Sequence, residues 1–203
     1  MKYMLLFLLG INIFAAPVGS VVTVEGNSFR KSIDLGNYTK INQGDIIYQG
    51  DEIRTYKNGK VKIIFSDDSI IYVASQSKML INQVVYDVNA QSRETKITLL
   101  NGKLKSWVSS AFSSKKTNYS IETATSVIGV RGTKFVVNID CAKYNDETEE
   151  CEEITDKVDV GVFEGSVDVY NKNDITKHIE NLKANTYTSV IGTTPPMPGI
   201  DID

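Results

Sequence analysis

The spacing of its apolar segments constrains this chain most. From Val18 to about Val190 they are short, alternate apolar with polar residues, and are separated by Gly, Asn and Asp at intervals of roughly eight to twelve residues. No stretch keeps the 3.6-residue period of an amphipathic helix for more than a couple of turns. A period of two sends successive side chains to opposite faces, which suits a strand with one face buried and defeats a helix. The chain is therefore expected to be all-β, an antiparallel, jelly-roll-like β-sandwich rather than parallel βαβ units. No composition break falls between Val18 and Val190, which argues for one domain.

Local turn chemistry gives the expected connections. Lys60–Phe65 places Val61, Ile63 and Phe65 on one face, and Asn58-Gly59 before it tolerates positive φ at both positions, a hairpin signal. Ser69–Val73 follows the Asp67-Asp68 turn. Thr95–Leu100 and Lys103–Val108 flank Asn101-Gly102, a second hairpin signal, and Glu164-Gly165 before Ser166–Tyr170 is a third. Ser109–Lys116 is small and polar around Phe112 and reads as a mobile surface loop. Thr193–Asp201 holds three of the four prolines and lacks periodicity, so residues 192–203 read as a flexible tail.

Met1-Lys2-Tyr3, an apolar run from Met4 to Phe14 and Ala15-Ala16-Pro17 match a charged n-region, an h-region and a small-residue cleavage zone. Residues 1–16 are expected to be a signal peptide, cut after Ala15 or Ala16, ahead of a β domain over 17–191. The run is interrupted by Gly10 and Asn12 and is shorter than the roughly 20 apolar residues of a membrane span, so no stable transmembrane anchor is expected. The expected location is periplasmic or secreted, in a bacterium.

Without Lys2 the chain carries 21 basic against 25 acidic side chains, a net −4, and no global field to attract a phosphate backbone. Nucleic acid is not an expected partner. One histidine, His178, and two cysteines leave the usual catalytic and zinc-binding sets nearly empty. In an oxidising compartment Cys141 and Cys151 are expected to bridge, closing an acidic loop of about 11 residues and contributing roughly 3 kcal/mol. A calcium site among Asp146, Glu147, Glu149 and Glu150 lacks the Asp-x-Asp-x-Asp-Gly pattern. No metal, cofactor or catalytic residue is expected. The Gly-x-Ser-x-Gly elbow, the phosphate loop and the His-Glu-x-x-His helix are absent from the sequence.

Gly44-Asp45 and Gly50-Asp51 stand six residues apart, each suited to opening a strand, because glycine permits a tight bend and aspartate bonds nearby amides. Val130-Arg131-Gly132-Thr133-Lys134-Phe135 and Val162-Phe163-Glu164-Gly165-Ser166-Val167 follow. In this order, over roughly residues 41–170, these elements resemble the FecR domain family. Asp68 stands where that family's Asp-Gly-Ser turn has glycine, Ala124 replaces its proline and Ser126 its alanine. The resemblance implies a jelly-roll-like sandwich outside the cytoplasm. The family's regulator has a cytoplasmic segment that touches a sigma factor; only Met1-Lys2-Tyr3 precede the apolar run here, so that role is not expected to transfer.

Arg131 could clamp a carboxylate or phosphate with its planar fork. The structural alternative, the one expected, pairs it internally with an acidic side chain, leaving Gly132 to backbone geometry and Thr133 to bond a turn amide. His178 is expected on an exposed strand, and Trp107 as core or rim packing rather than a sugar platform. The reading is a non-enzymatic exported module recognising or scaffolding an envelope protein or cell-wall polymer. The alternatives are a sensor with a membrane partner and a carbohydrate or peptidoglycan binder.

Overall fold

A computed structural model describes residues 16–33, 36–87, 89–110 and 117–201. The expected signal peptide up to residue 15 and residues 111–116 of the expected mobile loop lie outside these. The first half contains β1 (Pro17–Glu25), β2 (Ser28–Lys31), β3 (Tyr38–Lys40), β4 (Ile46–Tyr48), β5 (Glu52–Thr55), β6 (Lys60–Phe65), β7 (Ile70–Val73) and β8 (Ser77–Asp87). The second contains β9 (Ser92–Trp107), β10 (Thr117–Glu122), β11 (Ser126–Val130), β12 (Lys134–Asn145), β13 (Glu150–Glu164), β14 (Ser166–Asn171), β15 (Asp174–Lys183), β16 (Thr186–Ile191) and β17 (Ile200–Asp201). Among the described residues no helix is long and apolar enough to cross a membrane.

The strands form one continuous ladder folded into two layers. Layer A runs β4-β1-β6-β7-β9-β12-β13-β16-β17. Layer B runs β3-β2-β5-β8-β9-β10-β11-β14-β15. Pairing is antiparallel throughout these ladders except between β9 and β10, which run parallel. The chain is an all-β, sandwich-like fold with its core between the layers. Ile63, Ile71, Leu104, Phe135 and Val160 fill it from layer A, and Ile53, Met79, Ile97, Ile121 and Val169 from layer B, all essentially inaccessible. Each contributes roughly 1.5–3 kcal/mol relative to exposure.

β9 belongs to both layers. Its N-terminal part pairs with β8 and β10, and from Gly102 onward it pairs with β7 and β12. The buried positions change parity on the way: Arg93, Thr95, Ile97 and Leu99 point inward, then Leu104 and Ser106 do. Gly102 sits at the corner with φ +83, where a Cβ would lie 2.6 Å from the Gln76 carbonyl oxygen and on top of Ser77 Oγ.

This corrects the three expected hairpins. Asn101-Gly102 lies inside one strand; Asn58-Gly59 carries the chain from β5 in layer B to β6 in layer A; Gly165 carries it from β13 in layer A to β14 in layer B. A corner between two layers needs the same tight, Cβ-free backbone as a hairpin, so the dipeptide signal cannot tell them apart. The Asp67-Asp68 turn does join paired strands, β6 and β7, with Asp68 at φ 64.

β12 and β13 leave the sandwich as a hairpin arm, exposed beyond Ile139 and before Val158, where a loop had been expected. The Cys141–Cys151 disulfide staples it, with Cα atoms 5.8 Å apart. The arm folds back over layer B through an ion pair between Glu150 and Arg54. The C-terminal segment is held rather than loose: Asn171 Nδ2 donates to the carbonyls of Gly192 and Thr194 at 3.1 and 2.7 Å, Met197 N donates to Ser189 O at 2.9 Å, and β17 pairs with β16.

Candidate recognition site

The two Gly-Asp pairs make the same turn twice. Gly44 and Gly50 have φ +88 and +90, and in each turn the aspartate accepts from the amide three residues back, Asp45 from Asn42 and Asp51 from Tyr48, both at 2.9 Å. Asp51 is buried, with Arg30 Nη1 3.6 Å from its carboxylate. These turns shape the strands around β4 and β5.

The other motifs meet each other. β11 ends at Val130, Gly132 turns at φ +59, and Phe135 is fully buried in β12. Thr133 Oγ1 has the Arg131 carbonyl at 3.0 Å and the Ser166 carbonyl at 2.8 Å, so it donates to carbonyls where a bond to an amide had been expected. A Cβ on Gly165 would lie 2.9 Å from Thr133 Oγ1 and 3.0 Å from Gly132 O. Thr133 thus clasps two corners, one leaving layer B and one entering it. Glu164 lies outside the clasp, paired with Lys134 at 2.7 Å.

The buried arginine expected at 131 is at 93. Arg93 and Asp67 are 1% and 0% exposed, with Nη1 2.6 Å from Oδ2. Arg93 also donates to Ser109 O at 3.2 Å and lies over the Tyr119 ring, 5.3 Å from its centroid. Asp67 further accepts from Ser69 N and Oγ at 2.9 and 2.8 Å. Burial, reinforced by the Asp67 charge, pushes the hydroxyls of Tyr86 and Tyr119 well above the ordinary tyrosine range and keeps them protonated. This is an anchor between the β6–β7 turn and β9.

Arg131 itself is exposed and makes no ion pair among the described residues, contrary to the internal pairing expected of it. It stands at the rim of a trough of about 390 Å³ on the outer face of layer B. Register defines the floor: Lys96, Ser120, Gly129 and Asp168 lie side by side on β9, β10, β11 and β14, and Glu122, Val127 and Tyr170 form the next row. At Gly129 a Cβ would meet only Asp168, at 3.8 Å, so the absent side chain deepens the floor without being required for packing. Lys96 and Lys172 hold Glu122 at 2.6 and 3.1 Å. Burial alone would push its carboxyl up, but the two lysines outweigh that and hold it below its ordinary value. Asp168 accepts from Asn181 N at 2.8 Å. Arg131, Glu94 and Asp168 are left as the trough's charges with no ion-pair partner among the described residues, so Arg131 is its one unpaired cation.

Ser120 Oγ is directed at the Thr95 carbonyl, 3.5 Å away, and His178 stacks on Tyr170 at 5.2 Å with Glu180 3.4 Å from its Nε2, so neither is arranged as a nucleophile with its base. Among the described residues no three His, Cys, Asp or Glu side chains converge as a metal site. Trp107 is 51% exposed on the outer face of layer A, with Lys134 Nζ 4.6 Å from its ring centroid. The expectations named the motif residues but not Glu94, Lys96, Glu122, Gly129 and Asp168 as trough residues. The signal for them was parity: in β9–β11 and β14 they are the residues out of phase with the buried apolar ones.

The family model described as FecR protein matches residues 51–168. No curated protein matches the chain. Two crystal structures of a protein assigned as an anti-sigma factor from Parabacteroides distasonis ATCC 8503, at 1.65 and 2.50 Å resolution, resemble it with TM-scores of 0.51 and 0.52 and 16% identity. In both, 75% of this chain is covered and it spans 60% of that chain; at this identity the likeness concerns the fold.

Proposed function

The chain belongs to the FecR protein family, and from that premise we propose that it is an exported, non-enzymatic recognition module of the bacterial envelope, serving signalling by binding a polar segment of a partner protein in the layer B trough. The observation that carries this is the exposure of Arg131 at the trough rim. A guanidinium with no carboxylate partner among the described residues offers its fork to a partner's carboxylate, and Glu94 nearby offers a complement to a cation. The family match and the fold shared with proteins assigned as anti-sigma factors favour a signalling role over a purely structural one.

The test is capture from envelope extract by the purified protein, alongside Arg131→Gln and Gly129→Trp, the second chosen to fill the trough. A partner recovered by the parent and lost by both variants is the expected result. Background recovery by the parent, or equal recovery by all three, defeats the proposal. Fractionation of cells expressing the full chain should place a processed form beginning near residue 16 or 17 outside the cytoplasm.

A further inference from the structure

All four aromatic side chains that stand more than a third exposed among the described residues, Tyr72, Trp107, Phe163 and Tyr187, lie on one surface, the outer face of layer A. Register explains the coincidence. Tyr72, Lys105, Val136, Gly161 and Tyr187 sit side by side on β7, β9, β12, β13 and β16, with Lys62 beside Tyr72 on β6. Trp107 lies two residues along β9, next to Lys134. At a strand spacing of about 4.8 Å, the row from Lys62 to Tyr187 is a track of roughly 24 Å running across the strands. Gly161 keeps its middle low, and a depression of about 240 Å³ opens beside Tyr72.

Lysines alternate with the rings. Lys62 Nζ is 5.2 Å from the Tyr72 centroid, Lys105 is 4.7 Å from Phe163 and Lys134 is 4.6 Å from Trp107. Lys134 is neutralised by Glu164 and Lys60 by Glu25, but Lys62, Lys103 and Lys105 have no ion-pair partner among the described residues. A net-negative chain thus presents a locally positive face.

We infer that this face binds an acidic polysaccharide, the rings stacking on sugar faces and the lysines pairing with carboxylates along the polymer. Flat aromatic platforms interspersed with cations on one face fit a ligand that alternates apolar ring faces and anions. Protein interfaces favour aromatic residues but are depleted in lysine, and a single-stranded nucleic acid would meet the repulsion of the net-negative remainder. The track lies on the layer opposite the Arg131 trough and is independent of it.

The test is affinity electrophoresis of the purified protein in gels containing polygalacturonate, dextran, poly-L-glutamate or oligo(dT). Retardation by polygalacturonate is expected, weakening with added salt, at least tenfold stronger than by dextran. Lys62→Gln with Lys105→Gln, and separately Tyr72→Ala with Trp107→Ala, should each weaken it about tenfold or more, while Arg131→Gln leaves it unchanged. These side chains are exposed, so melting temperature should move little; if the aromatic pair unfolds the protein, the lysine pair alone decides. Absence of retardation by polygalacturonate, retardation unchanged in the lysine pair, or equal or stronger retardation by poly-L-glutamate or oligo(dT) overturns the inference.

Discussion

Arg93 and Arg131 occupy layer B in opposite ways. Arg93 is 1% exposed, its charge answered by Asp67, with the same Nη1 also within reach of Ser109 O and Ser69 Oγ while Nε is buried without a hydrogen-bond partner among the described residues. Arg131, two residues before the core residue Thr133, faces solvent at the rim of a trough. Removing a guanidinium from water costs several kcal/mol, which the buried site recovers only by holding its partner and hydrogen bonds in fixed geometry. What that site gains is a unique docking of the β6–β7 turn on β9, since a shift of either would strand both charges. Arg131 carries no such burden: it is exposed and has no ion-pair partner among the described residues, which leaves its side chain to a partner.

The comparison breaks most visibly at Arg93. Arg93→Met should destabilise the protein by about 3–5 kcal/mol in urea unfolding, because Asp67 is left buried and unanswered. Combining it with Asp67→Leu should recover much of the loss. A single-variant loss under about 1 kcal/mol would show that the cluster is not the anchor described. Next in size comes the corner of β9: Gly102→Ala combines a left-handed φ of +83 with a clash on the Gln76 carbonyl, expected to cost about 2–3 kcal/mol. Gly44→Ala, at φ +88 with nothing within 4 Å of its Cβ, should cost only about 1 kcal/mol. Equal losses would mean that the close approach at Gly102 adds nothing to the backbone strain.

Much of this was legible in the residues. Alternation announced strands, and the core side chains of β6, Val61, Ile63 and Phe65, are those the period-two reading chose. Topology was less legible, because the glycine signals at positions 59, 102 and 165 mark tight backbone without saying whether the next strand pairs with the last or crosses to the other layer. The clue lay in longer-range parity: inward residues are odd up to Leu99 and even from Leu104, a change that a strand switching layers produces. The same parity puts Arg93 in phase with Thr95, Ile97 and Leu99, and so inside. The prolines of the C-terminal segment suggested looseness because its restraints, from Asn171, Thr188 and Ser189, come from other strands.

The smaller effects sharpen the open side of the comparison. Glu122 has a folded carboxyl value depressed below its ordinary 4.5 by Lys96 and Lys172 against the opposing effect of burial. Its contribution is therefore present above the unfolded value and lost as pH falls through the folded one. The stability gap between the parent and Glu122→Gln should be under about 1 kcal/mol at neutral pH and close below about pH 4, read from melting curves. A gap that widens toward acid would reverse the assignment.

Smallest of all, Arg131→Gln should shift stability by no more than about 0.5 kcal/mol, the range of a surface substitution away from caps and cores. Thr133, two residues on, gives the contrast: Thr133→Val deletes a buried hydroxyl that serves the carbonyls of two corners, with an expected cost of about 1–3 kcal/mol. Neighbouring positions of one motif then separate into a residue that holds the fold and one that does not. A loss at Arg131 matching that at Thr133 would show that the guanidinium works inside the protein after all, and with it would go the reason for placing a partner in the trough.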